Sequence, residues 1–139
     1  MTPAYIIFSI LKAGFGMLQS ILLVGTGGFA GSVLRFLISR FTVLQWGGLF
    51  PYGTFLVNIT GCLVIGIIYG LGLKELISTD VRLLLATGVC GGFTTFSSFS
   101  MEFFILLREG HTGLAFLYAA GSMAVGLAAV WIGMAITKM

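Results

Sequence analysis

The residues best suited to chemistry are concentrated in one stretch, Gly91-Gly92-Phe93-Thr94-Thr95-Phe96-Ser97-Ser98-Phe99-Ser100-Met101-Glu102. Two adjacent glycines followed by a run of hydroxyl residues make a poor continuous helix. Phe96, Phe99 and Phe103 stand at i, i+3 and i+7, so they share one helix face. A phenylalanine stripe at that spacing ordinarily packs a core. Interleaved with the hydroxyls of Thr95, Ser97, Ser98 and Ser100, it also describes a narrow lined pathway. An aromatic ring is electropositive at its edge and negative on its face, so ring edges can touch an anion where faces would repel it.

Few other polar groups fall in apolar surroundings. Asn58 lies amid Phe55-Leu56-Val57 and Ile59; its amide can donate to an anion or bond a neighbouring helix. Tyr118 and Ser122 are at i and i+4, on one face. Arg35 either snorkels to a membrane interface or turns inward and raises the potential felt by an anion. Cys62 and Cys90 have neither a CxxC nor a Cys/His spacing and read as small packing residues. His111 sits in a short joint and reads as an interfacial residue.

The elements that must position these groups follow from composition. Of 139 residues, 58% are hydrophobic and 8% charged, against roughly 25% charged in a soluble domain. So few charges cannot coat a soluble globule of this size, and the solvent is lipid. Uncharged runs of 22, 33, 19 and 26 residues (13–34, 41–73, 83–101 and 112–137) compare with the about 20 apolar residues that a spanning helix needs. They predict four transmembrane helices, over about 17–41, 52–73, 80–107 and 112–137, with a turn at Gln45-Trp46-Gly47-Gly48. The third is predicted to be broken near Gly91–Thr95, because freed backbone groups at membrane depth are tolerated only against protein or a water-filled cavity. Residues 1–16 are read as an N-terminal extension on or entering the membrane surface, and 17–139 as the four-helix domain. The expected location is the inner (plasma) membrane.

Glycine is abundant, 21 in all, with Gly27 and Gly31 in GxxxG spacing and further glycines along the second and fourth spans. Small residues let helices approach closely where lipid offers no hydrophobic reason to associate. The net charge of +3 is scattered over helix ends and reads as interfacial anchoring, with no nucleic-acid partner. Lys12, Lys74, Arg82 and Lys138 fall on one side of the membrane and Arg35, Arg40 and Arg108 on the other. That balance gives almost no positive-inside bias, and predicts insertion both ways and assembly as an antiparallel, dual-topology homodimer. Enzyme chemistry finds no support: the chain has no Ser-His-Asp set, metal-ligand cluster or phosphate loop.

Three strings together carry a resemblance: Gly27-Gly28-Phe29-Ala30-Gly31-Ser32-Val33-Leu34-Arg35-Phe36, Gly53-Thr54-Phe55-Leu56-Val57-Asn58-Ile59-Thr60-Gly61, and the Gly91–Glu102 stretch. In order and spacing they resemble the CrcB/Fluc fluoride ion channels, from about residue 18 to the C-terminus. The family pattern departs in two places: Ser98 stands where threonine is usual, and the first 16 residues precede the usual start. The resemblance implies an antiparallel homodimer with two pathways, relieving fluoride toxicity by passive, selective efflux. It implies that Phe96 and Phe99 meet fluoride with their ring edges and that Asn58 lines the pathway. It also implies that carbonyls of Gly91 and Thr94 from both subunits hold a structural sodium ion at the dimer interface. Thr95 and Ser97 belong to the same pathway, Tyr118 and Ser122 fall on the polar track of the fourth span, and Arg35 matches the arginine that ends the first. The rival class is a small dual-topology multidrug exporter, which should carry a glutamate in the middle of the first span; none is present there.

Overall fold

The structure, a computed structural model, describes residues 3–138, with side chains from residue 14 onward. It is all-helical. Helix α1 (Pro3–Trp46) runs 44 residues without interruption and α2 (Tyr52–Leu73) follows after a tight joint. Helix α3 opens as an α-turn at Thr79–Arg82, widens into a π-helix over Leu83–Cys90, and closes with one turn at Gly91–Phe93. Helices α4 (Phe96–Arg108) and α5 (Thr112–Ile136) complete the chain. Four segments are long and apolar enough to cross a membrane: Gly14–Trp46, Tyr52–Leu73, Thr79–Arg108 and Thr112–Ile136. The chain is a multi-pass membrane protein.

The first helix is longer than the 17–41 drawn from the sequence. Between Pro3 and Gly47 no residue interrupts the ladder, and a proline is harmless at a helix start, where its missing N–H has no partner anyway. The proposed 1–16 extension therefore continues into α1 from Pro3; the side chains of residues 1–13 lie outside those described. The joint after α1 uses Gly47 and Gly48 with φ of 41° and 99°, left-handed values that favour glycine. Ser78 begins the third span, its Oγ accepting the Val81 amide at 3.3 Å.

Glycine governs how these helices meet. Gly27 and Gly28 of α1 face Gly88 and Gly92 of α3, and Gly31 faces the Val89 carbonyl and the Phe93 amide, backbone against backbone. A Cβ on Gly27 would lie 2.9 Å from the Gly88 Cα, and one on Gly92 2.9 Å from the Gly28 Cα. On the other flank α2 meets α5 in the same manner: a Cβ on Gly133 would stand 2.9 Å from the Ile67 amide nitrogen. The first half of the interrupted span thus packs between α1 and α2, and α5 backs α2 from the other side. The most enclosed cluster, Leu106, Ala115 and Tyr118, joins α4 to α5 beneath Phe50, Phe55 and Phe99.

A Gly31→Val substitution would drive its side chain into the Val89 carbonyl. The expected loss is about 2 kcal/mol or more, the usual scale of overpacking, read as a lower melting temperature of detergent-solubilised protein. Gly25→Ala, where nothing lies within 4 Å, should leave stability unchanged or raise it by up to about 1 kcal/mol, the helix-propensity gain of alanine over glycine.

Candidate functional site

The third span breaks at Thr94 and Thr95, whose backbones are extended (φ −77°, ψ 160° and φ −151°, ψ 120°). Several groups at the break find side-chain partners. The Thr95 amide donates to Asn58 Oδ1 at 2.9 Å, and Asn58 Nδ2 donates back to the Thr95 carbonyl at 3.1 Å. One side-chain amide thus satisfies both polar groups of the displaced residue, as a β-ladder partner would. Thr95 caps the next helix, its Oγ1 accepting the Ser98 amide at 3.2 Å. Arg35 Nε donates to the Gly92 carbonyl at 3.1 Å, a cation at the C-terminal end of α3 where the helix dipole favours one.

Two carbonyls are released by these exchanges. In an uninterrupted α-helix the Thr95 amide would bond to Gly91 and the Ser98 amide to Thr94. Both amides are turned elsewhere. A Cβ on Gly91 would meet nothing within 4 Å, so this part of the break faces open space at the chain surface. The Thr94 amide and hydroxyl both bond to the Cys90 carbonyl, each at 3.0 Å, and the Thr94 methyl fills the notch left by Gly61 on α2.

Beside the break lies a cavity of about 480 Å³, lined in part by Asn58, Thr95, Phe96, Phe99 and Ser122. The Ser122 Oγ is buried and has no hydrogen-bond partner. Asn58 contributes a second amide hydrogen, since the NH2 group has two and one goes to Thr95. The Phe96 and Phe99 rings stand 5.9 Å apart at 33°; Phe96 is 80% exposed on the single chain, whereas Phe99 leans on Tyr118 at 5.0 Å.

The remaining expected residues are placed differently. Tyr118 shares a helix face with Ser122 but is fully buried, 0% exposed, and its hydroxyl donates to Glu102 Oε2 at 2.8 Å. It backs Phe99 rather than lining the cavity. Ser97 is exposed, its Oγ 3.2 Å from Thr95 Oγ1, and lines neither cavity. Arg35 borders a second, larger space of about 790 Å³ together with Ser98, Thr54 and Glu102.

Glu102 and Thr54 are not singled out as site residues by the sequence alone. Thr54 Oγ1 donates to Glu102 Oε1 at 2.6 Å, so with Tyr118 the carboxylate ties α2, α4 and α5 together. The only sequence signal was a carboxylate inside an otherwise apolar segment; its partners are 48 and 16 positions away.

The CrcB-like protein family model (Camphor Resistance, CrcB) matches residues 22–134. The chain is 48% identical over 126 residues to a protein of Methylobacillus flagellatus, covering 88% of this chain and 97% of that one. It is 47% identical to one of Chlorobium phaeobacteroides (86% and 94% covered) and 46% identical to one of Phocaeicola vulgatus (84% and 96%). Each of the three is named a fluoride-specific ion channel, FluC. Matched by the family model over residues 22–134 and along nearly the whole of those relatives, this chain belongs to the CrcB family.

Proposed function

We propose that the protein is a fluoride-selective channel of the inner membrane, through which fluoride leaves the cytoplasm passively. The observation that carries the reading is the cavity lined by Asn58, the Phe96 and Phe99 rings and Ser122, whose buried hydroxyl has no hydrogen-bond partner. A polar atom buried without a partner costs about 1–3 kcal/mol. A passing ligand that accepts hydrogen bonds offsets that cost. The neighbours suit an anion: a spare amide hydrogen, hydroxyls and positive ring edges. Fluoride is small and tightly hydrated, so many weak donors must replace its water shell while still letting it go.

The working unit is an antiparallel homodimer of copies inserted in opposite directions. Its support is the near balance of basic residues across the membrane and the exposed break: Gly91 faces open space and Phe96 stands clear of its own chain. A second copy covers both. The Gly91 and Thr94 carbonyls of the two copies suit a sodium ion, because a hard cation takes oxygen ligands and unwound helix ends commonly supply them. Bound there, the cation lowers the electrostatic cost of an anion in a medium of low dielectric constant. The Asn58 clamp and the Arg35 cap hold those carbonyls in place.

Fluoride-electrode measurements on proteoliposomes carrying a potassium gradient with valinomycin should record rapid efflux. Phe96→Ile should slow it at least tenfold with the fold intact, since the ring is exposed on its own chain; an unchanged rate would refute the pathway. Ser122→Ala removes a hydroxyl that no protein group uses. Its stability should therefore hold or rise, by up to about 1–3 kcal/mol, while flux falls about tenfold, a barrier increase of about 1.4 kcal/mol. Asn58→Leu should behave oppositely in stability: it strands both Thr95 backbone groups, at about 1–3 kcal/mol each, and the melting temperature should drop along with flux.

A further inference from the structure

The chain has two cysteines, Cys62 and Cys90, and both are free. Their separation in sequence suggests nothing, yet the fold brings both to the wall of the same cavity that holds Asn58, Thr94 and Ser122. Cys62 lies one helical turn beyond Asn58 on α2, its Sγ directed toward Gly126 of α5. Cys90 lies one turn before Thr94, whose amide and hydroxyl both rest on its carbonyl. Both cysteines thus line one cavity, on the two helices that carry Asn58 and Thr94.

We infer that Cys62 and Cys90 form a dithiol site for a soft, two-coordinate cation, and that its occupancy blocks the ion pathway. Thiolate sulfur selects soft metals over the hard cations that backbone carbonyls hold. Among the described residues no third His, Cys, Asp or Glu gathers with the pair. A tetrahedral zinc site is thereby excluded, and a metal content with two sulfurs is the fit. With Hg2+ the step is an exchange: each S–H bond breaks, two S–Hg bonds form, two protons leave, and neither sulfur nor metal changes oxidation state. The product carries no net charge, because two thiolates cancel the divalent cation. An apolar cavity accepts a neutral adduct far more readily than a bare ion. Only the consequence for flux depends on the channel reading; the binding does not.

The test titrates mercuric chloride into the purified full-length protein, following thiolate-to-mercury absorption in the ultraviolet, and repeats the fluoride efflux measurement on the same preparations. One mercury per chain is expected, with affinity reduced at least tenfold in Cys62→Ser or Cys90→Ser and no specific uptake in the double variant. Efflux from wild-type liposomes should fall at least tenfold on loading and return with excess dithiothreitol, while the double variant, scaled to its own mercury-free rate, should not respond. If a serine variant fails to elute as a single species, the alanine pair Cys62→Ala and Cys90→Ala gives the same comparison. A wild-type protein that takes up no mercury, or a double variant that takes up as much, overturns the site. A protein that loads one mercury per chain yet passes fluoride at an undiminished rate overturns the block. Protein that passes no fluoride before mercury is added contradicts the channel reading instead, and the titration still decides the site.

Discussion

Everything distinctive in this protein depends on the reciprocal pair of hydrogen bonds between Asn58 and the backbone of Thr95. A break in a membrane-spanning helix leaves amides and carbonyls with no water to satisfy them, at a cost of several kcal/mol per group. Asn58 answers both polar groups of the most displaced residue with one side chain. That frees the carbonyls of Gly91 and Thr94, turns Thr95 into the cap of α4, and sets the direction in which Phe96 and Phe99 leave the helix start. Without the clamp, the sequence Gly91–Ser100 would close into an ordinary helix or lose its place between its neighbours.

The clamp requires that α2 and α3 keep a fixed register, and the glycine contacts provide it. At the α1–α3 crossing Gly27 and Gly31 on one helix and Gly88 and Gly92 on the other leave no room for a methyl group, and the crossing cannot slide by a fraction of a turn without collision. Gly61 plays the same part more locally, admitting the Thr94 methyl so that the break seats against α2. Packing of this kind replaces the hydrophobic effect, which is absent between helices already dissolved in hydrocarbon. The π-helical turns of Leu83–Cys90 lie within the same contact, and such widened turns are rare outside functional segments.

Two polar assemblies flank α4 and serve different ends. Toward the smaller cavity, Asn58 and Ser122 keep donor capacity unspent, as an anion route requires. On the opposite side Glu102 absorbs the hydroxyls of Thr54 and Tyr118. A satisfied network of this sort stiffens its surroundings. Through Tyr118 it supports the Phe99 ring from behind, at 5.0 Å. Tyr118 and Ser122 are thus separated in role although one helical turn apart: one hydroxyl is committed to a carboxylate, the other left open.

Composition alone determined that the solvent is lipid, and the four uncharged runs located the helices, because crossing a hydrocarbon layer is a demand on length and polarity that any one segment must meet by itself. The paired glycines before a string of hydroxyls likewise marked where the third span breaks, since that is a local property of the backbone. The partners of the freed groups were not legible. Asn58 read equally well as a donor to an anion or as a bond to a neighbouring helix, and Arg35 as snorkelling or inward-facing. Glu102 looked like a carboxylate near a helix end, and the two cysteines like filler. The bonds of Asn58, Arg35 and Glu102 follow from which groups the packed helices bring within about 3 Å of one another, a distance set by several helices at once and written in none of them.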